Sequence, residues 1–277
     1  MSPHNPHPDF KTVESSRPPF DASQPVTFTK TPNPDWKFGD GTNQLDANKD
    51  APSPKKHISI DPYAEGRPSL FNYKLLISAT VPRPVAFISS RSPDGKTLNL
   101  APFSYFNMIN HDPRSSSPKD TLKNIVESKE CVINIISEHF VEAANATSID
   151  APYGSSEWDV SGLTPEYSTE TVGAPRIKEA ILSIEAKLES VREFESKSVP
   201  GKKSGTLVVL EGTRFWVRED AINEDRSIID LNVLKPISRL GGITYGRTNE
   251  VLELPRPQFE KDLGGQQGLE KLQNQKI

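Results

Sequence analysis

The 277-residue chain holds a single cysteine, Cys131, so no internal disulfide can form, which fits a reducing compartment. It has no apolar run near the roughly 18 residues that a membrane-spanning helix requires. The N-terminus lacks the apolar core of a signal peptide, and its scattered His, Pro, Asp and Glu do not resemble an Arg-rich transit sequence. There is no basic stripe and the formal net charge is −4, which sets nucleic acid aside as the main partner. The expectation is a cytoplasmic protein with neither a membrane nor a nucleic acid to bind. Chemistry-bearing motifs are scarce as well. No Walker phosphate loop and no G-x-S-x-G elbow occur, and Gly241-Gly242-Ile243-Thr244-Tyr245-Gly246 lacks the dinucleotide-binding spacing. The histidines are His4, His7, His57, His111 and His139, and none stands at metal-ligand spacing with Cys131. The sequence therefore names no catalytic acid, base or nucleophile, and no metal.

What is present is unevenly spread. Ten of the 25 prolines precede Ile58, a stretch in which only about a fifth of residues are apolar. Residues 1–57 show neither helical nor strand periodicity and read as a Pro-rich arm, either disordered or wrapped on a partner subunit. Residues 58–257 form the expected globular domain. Residues 258–277 read as a polar tail with at most a short helix around Leu269.

Inside the domain the signals are mainly strands. Val85 to Ser90 is β-prone and ends at Ser92-Pro93-Asp94-Gly95, a turn signal that predicts a hairpin returning along Thr97 to Leu100. Cys131 to Ile136 is nearly continuous apolar, as in a strand covered on both faces. Leu182, Ile184, Ala186 and Leu188 alternate strictly with Ser183, Glu185 and Lys187. Leu207 to Leu210 opens another strand, with Gly212 as a candidate bulge and Phe215 and Val217 alternating with Arg214 and Arg218 beyond it. Two helices are expected. One starts at Ser117-Pro118-Lys119-Asp120 and carries a stripe of Leu122, Ile125 and Val126; the other spans about Glu138 to Ala146. Short hairpins with few helices point to an antiparallel barrel rather than a doubly wound sheet.

Two segments could hold a ligand. Arg114-Ser115-Ser116-Ser117-Pro118-Lys119-Asp120-Thr121 sets an arginine, hydroxyls and a lysine at a helix start, where unpaired amides attract anions. A solvated, well-capped helix accounts for the same residues. Asn99-Leu100-Ala101-Pro102-Phe103-Ser104-Tyr105-Phe106 has a proline expected to interrupt the strand ladder and expose its amides beside flat apolar rings. That is the combination a planar heteroaromatic ligand needs, and ordinary core packing of the rings is its alternative. Gly201-Lys202-Lys203-Ser204-Gly205 is either a plain hairpin connection or a basic loop within reach of a nicotinamide phosphate.

Tyr73 to Ile77, Val81-Pro82-Arg83-Pro84-Val85-Ala86-Phe87-Ile88-Ser89, Asn99 to Phe106 and Lys119-Asp120-Thr121 together resemble the flavin reductase-like family of FMN-binding split β-barrels, which includes the flavoredoxins. Asn145-Ala146-Thr147-Ser148, Gly241-Gly242 and Glu253-Leu254-Pro255-Arg256-Pro257 look like later signposts of that family. The resemblance implies a mainly β fold with a few helices: a six-stranded antiparallel Greek-key-type barrel, assembled as a homodimer with FMN held non-covalently at the interface. Carried over residue by residue, Asn99, Leu100, Ala101, Pro102, Phe103 and Ser104 would contact the isoalloxazine, with Arg83 and Ser89 nearby. Ser116, Ser117, Lys119 and Thr121 would hold the phosphate. NADH or NADPH would be the co-substrate, and reduced flavin or its electrons would pass to a partner such as a flavin-dependent monooxygenase. His111 and Asp112 stand near the expected pocket, either to steer the nicotinamide or as a simple turn before Pro113.

One departure from the family pattern bears on function. Members of the family it resembles usually carry a further apolar strand between the Asp-Pro pair and the basic, serine-rich phosphate segment; here Asp112-Pro113 runs directly into Arg114-Ser115, about ten residues short, and a barrel without that strand leaves ladder groups unpaired. A lost exon, a shortened isoform and a genuine variant that compensates from its N-terminal arm would each account for it.

Overall fold

The computed structural model describes residues 10–19, 30–43, 45, 55–83, 86–91, 98–103, 107, 120–149, 152, 156–196, 199–239, 245–251 and 258–274. The chain divides into two compact units, Met1–Thr29 with Asn249–Ile277, and Lys30–Thr248. The smaller unit contributes α1 (Phe10–Ser15), α7 (Phe259–Leu263) and α8 (Gly265–Asn274). The tail thus carries two helices where the sequence suggests at most one short helix around Leu269. Gly264 takes the left-handed conformation at φ 80° and ends α7.

The larger unit is strand-rich with a few helices. Its main sheet is antiparallel, in the order β1 (His57–Ile60), β8 (Lys203–Arg218), β7 (Leu182–Glu195), β4 (Glu130–Asn134). Three two-stranded ribbons accompany it: β2 (Ala86–Arg91) with β3 (Leu98–Phe103), β5 (Pro165–Glu166) with β6 (Arg176–Ile177), and β9 (Ile237–Arg239) with β10 (Tyr245–Arg247). The helices are α2 (Ser69–Ala79), α3 (Asp120–Ser128), α4 (Val141–Ala146), α5 (Glu157–Ser161) and α6 (Leu231–Leu234). A 3-10 turn, Glu138–Phe140, precedes α4, so the expected helix over Glu138 to Ala146 starts with a tighter turn.

The alternation in β7 sends Leu182 and Ile184 into a core with Leu75, Ile181, Phe215 and Val217. Ser183 and Glu185, the polar side of the pattern, are equally buried, because the chain from Thr164 to Lys178 covers that face. Asn134 fastens this cover, accepting from the Ile177 amide (3.1 Å) and the Ser183 hydroxyl (2.7 Å). The expected bulge is there: Ala186 pairs with Gly212 while Glu185 pairs with Arg214, which leaves Thr213 as the extra residue.

Three expectations need correction. Cys131 to Ile136 is not covered on both faces: among the described residues β4 is an edge of its sheet, and Ile133 and Ile136 are 39% and 38% exposed. Pro102 does not interrupt the ladder, since β3 runs through it, with Pro102 opposite Phe87 and Phe103 opposite Ala86. β3 has a single partner among the described residues, and a strand with one free edge tolerates a proline whose missing N–H faces away from the pair. The third concerns the N-terminal arm. Residues 30–43 lack periodicity but form a strap on α4 and α5. Trp36 packs against the cluster of Phe140, Ala143 and Leu163. The Gly39 and Gly41 amides donate to the carbonyls of Val160 (2.8 Å) and Ser161 (3.0 Å). Asn43 is buried, and its side-chain amide donates to the Glu138 carbonyl and the Glu142 carboxylate, both at 2.8 Å. Gly162 sits beneath the strap at φ 67°, and a Cβ there would lie 2.0 Å from the Gly39 oxygen.

Candidate functional site

The segment from α2 to β3 places the largest group of expected ligand residues. Pro68 sets the entry of α2, and Arg83 closes its far end, with Nη1 donating to the carbonyls of Ile77 (2.6 Å) and Thr80 (2.8 Å). Among the described residues its buried Nε has no hydrogen-bond partner. The chain then enters β2, whose register with β3 sets Ser89 opposite Leu100, Ser90 opposite Asn99 and Ile88 opposite Ala101. Backbone pairing therefore brings Ser89 and Asn99 to Phe103 together in one hairpin, a few residues beyond Arg83.

The expected phosphate segment is described only from its helix onward. Asp120 opens α3, and Thr121 lies exposed in its first turn, where unpaired amides favour an anion. Ser104, His111, Asp112, Arg114, Ser115, Ser116, Ser117 and Lys119 lie outside the described residues, as do Gly241-Gly242 and Glu253 to Pro257. Gly201 takes φ 76° in the tight turn joining β7 to β8, and Lys203 pairs with Glu193 across that hairpin. The basic stretch 201–205 thus makes a hairpin connection.

Sequence reasoning missed a polar cluster under the Thr164–Lys178 cover. Glu185 accepts from the amides of Glu170 (2.9 Å) and Thr171 (2.6 Å), from the Thr171 hydroxyl, and from Trp216 Nε1 (2.6 Å). Burial alone pushes its carboxyl up, but the bonds from Thr171, Trp216 and Glu170 outweigh it and hold the group below its ordinary value. The Arg176 guanidinium lies 4.9 Å from the centre of the Trp216 ring, and its burial lowers its pKa. Read as an alternating strand, Glu185 belongs to the solvent side; the large aromatic Trp216 on the neighbouring strand was the available hint.

None of this is an acid–base centre. Burial lowers the pKa of His57, which bonds the Ala180 carbonyl (2.7 Å), and burial with the nearby Glu130 charge raises that of Cys131, which keeps the thiol protonated. Among the described residues no cluster of His, Cys, Asp and Glu could hold a metal ion, and no helix is long and apolar enough to cross a membrane.

Residues 78–232 match the family model described as "Flavin reductase like domain". The chain belongs to the flavin reductase-like family. An uncharacterized protein, BH2278, of Halalkalibacterium halodurans is 34% identical over 201 residues, covering 69% of this chain and 93% of that one. An uncharacterized protein of Aquifex aeolicus is 38% identical over 184 residues, covering 62% and 88%. Among solved structures, nitrilotriacetate monooxygenase component B from Bacillus cereus is 34% identical, covers 71% of this chain and 98% of its own, and superposes with a TM-score of 0.47. The Pseudomonas fluorescens 2-nitrobenzoate 2-nitroreductase NbaA is 30% identical over 71% of this chain and 96% of its own, at 0.45. The stretch matched to the family includes the β2–β3 hairpin, α3, β4, β7 and β8 in order.

Proposed function

We propose that this flavin reductase-like protein is an FMN-binding oxidoreductase that uses NADH or NADPH to reduce flavin and hands reduced flavin, or its electrons, to a partner such as a flavin-dependent monooxygenase. The observation that carries the reading is the family match over residues 78–232, which contains the hairpin where Ser89 faces Leu100. In this account Asn99 to Ser104, Arg83 and Ser89 would hold the isoalloxazine, and Ser116, Ser117, Lys119 and Thr121 would hold the phosphate. Two features fit such a ligand: the Arg83 Nε–H, without a partner among the described residues, and Thr121 exposed at a helix start. When bound, FMN supplies the two-electron chemistry. The chain's own residues bind and orient it: Arg83 and the β3 backbone at the ring, and the helix start and Lys119 at the phosphate, where each hydrogen bond to a charged group contributes about 1.5–3 kcal/mol. A homodimer that completes a six-stranded Greek-key barrel belongs to the same reading.

The test is anaerobic addition of NADH and of NADPH to the flavin-loaded protein, followed by visible absorbance. Bleaching within seconds to minutes is expected; flavin that stays oxidised for hours would overturn the enzyme reading. One observation favours a second reading, an FMN-binding electron carrier or a remnant without catalysis. Among the described residues, β3 and β4 lie in separate sheets, as expected if the strand after Pro113 is missing. Flavin reduced by a partner protein but not by NADH or NADPH would select the carrier.

A further inference from the structure

The 3-10 turn before α4 is held from three directions, and all three meet at Glu138. From the strap, Asn43 Nδ2 donates to the Glu138 carbonyl (2.8 Å), and the Asn43 amide donates to the His139 carbonyl (2.7 Å). From the chain entering β9, the Lys235 carbonyl accepts from the Glu138 amide (3.0 Å). From β10, Arg247 takes the Glu138 carboxylate with two bonds, Nε to Oε1 at 2.7 Å and Nη2 to Oε2 at 3.0 Å. The N-terminal strap and the β9–β10 hairpin, far apart in sequence, thus end on the same residue.

Neither piece is strong alone. β9 and β10 pair over three residues each, and a two-stranded hairpin by itself is marginal in water. The further fastenings of the hairpin run to the same region: the Ile237 amide donates to the Ile136 carbonyl (3.2 Å) and the Tyr245 hydroxyl to Asn145 Oδ1 on α4 (2.9 Å). The strap also bonds α4, through the Asn33 amide (2.9 Å) and Asn43 Nδ2 (2.8 Å) on the Glu142 carboxylate. Glu138 is 3% exposed, and a buried carboxylate without a partner is far costlier than a hydrated one. The strap bonds fix the backbone of the turn, which keeps the Glu138 side chain inside and dependent on Arg247. With the strap lifted, the turn loosens, water reaches the carboxylate, and the hold on β10 weakens. In reverse, withdrawal of Arg247 leaves a buried charge that is relieved when the turn opens beneath the strap.

We propose that the strap and the β9–β10 hairpin form one cooperative clip with Glu138 as its latch: a seated strap holds the hairpin in place, and release of either loosens the other. Such coupling is reciprocal and defines a unit that opens below the stability of the whole fold. The clip uses no residue of the flavin reading, so each stands or falls separately.

A double-mutant cycle in the full-length protein tests it, with Asn43→Ala, Arg247→Met and the pair unfolded in urea. Both side chains bond Glu138, so a cycle that fails to add reads the coupling through that residue. The loss in folding equilibrium constant on Arg247→Met should be at least fivefold smaller in the Asn43→Ala background than in the wild type. Losses equal in the two backgrounds to within twofold would overturn the proposal. If Arg247→Met does not fold, Arg247→Lys, which keeps the charge but loses the fork, takes its place. Hydrogen exchange followed by mass spectrometry reads the same coupling in place. In Asn43→Ala, exchange across Tyr245–Arg247 should accelerate at least tenfold more than exchange across β1. Hairpin exchange that accelerates no more than β1 would overturn the clip, because strap and hairpin would then open independently.

Discussion

Replacing Glu185 by glutamine changes one atom in a site with no access to solvent. The carboxylate takes four donors, two on each oxygen: the Glu170 amide and Trp216 Nε1 on Oε1, and the Thr171 amide and hydroxyl on Oε2. A glutamine amide turned toward the Thr171 side lets the Thr171 hydroxyl rotate and accept. The Thr171 amide then faces an N–H and loses its partner. An unpaired buried donor costs about 1–3 kcal/mol, and the remaining bonds lose their charge assistance, so a total near 2–4 kcal/mol is expected. For a unit of this size that is a fall in Tm of roughly 5–15 °C. The pH signature is separable. Because the folded pKa lies below the ordinary 4.5, Glu185 stabilises the fold above that value, and the contribution fades as pH falls through the folded pKa. Glu185→Gln should therefore lower stability at pH 7 and flatten the acid limb of the stability profile. Urea unfolding followed by tryptophan fluorescence, with Trp216 as a reporter in the cluster, measures both. A variant within about 0.5 kcal/mol of wild type at pH 7, with an unchanged acid limb, would refute the reasoning.

His57 acts in the same direction but at higher pH. Burial depresses its folded pKa below 6.5, so the unfolded chain takes up the proton first and stability falls as pH drops below about 6.5; His57→Gln should remove that slope in urea midpoints compared at pH 7.5 and 5.5. Asn43→Ala removes both amide bonds that tie the strap to the Glu138 carbonyl and the Glu142 carboxylate, and should cost about 2 kcal/mol in chemical denaturation. A loss below about 0.5 kcal/mol would mean the strap adds nothing to the fold. Lys119→Ala should weaken FMN binding by about tenfold or more, and leave riboflavin, which lacks the phosphate, nearly unchanged in a fluorescence titration. Equal loss for both ligands would show that Lys119 acts through folding.

Where the residue pattern and the strand pairing agree, the fold was readable in advance. The β2 and β3 runs flank a Pro-Asp-Gly turn signal, and Gly212 breaks an otherwise alternating strand at the point where the register shifts. The elements missed are those whose partners are distant in sequence. Helix α2 is apolar nearly all round, from Leu70 and Phe71 to Leu75, Leu76 and Ile77, so no 3.6-residue contrast marks it. The strap over residues 30–43 is held by one tryptophan, one asparagine and glycine-permitted backbone contacts, which a composition average hides. Glu185 alternates as a surface residue should, and only the folding-over of Thr164 to Lys178 buries it. The expectation for Pro102 failed because a proline excludes a strand only where both edges are paired. As for the ligand residues, the hairpin that joins Ser89 to Asn99–Phe103 was legible from local pattern, and the helix over Asp120–Ser128 from its stripe of Leu122, Ile125 and Val126, while the expected cap at Ser117 lies outside the described residues.

The most direct test is FMN binding itself: purified protein, loaded with excess FMN and desalted, scanned in the visible range and melted with and without the ligand. The account predicts a yellow protein with about one FMN per chain, stabilised by about 2.7 kcal/mol when free FMN exceeds its Kd a hundredfold. A colourless protein whose Tm does not move in saturating FMN would contradict it.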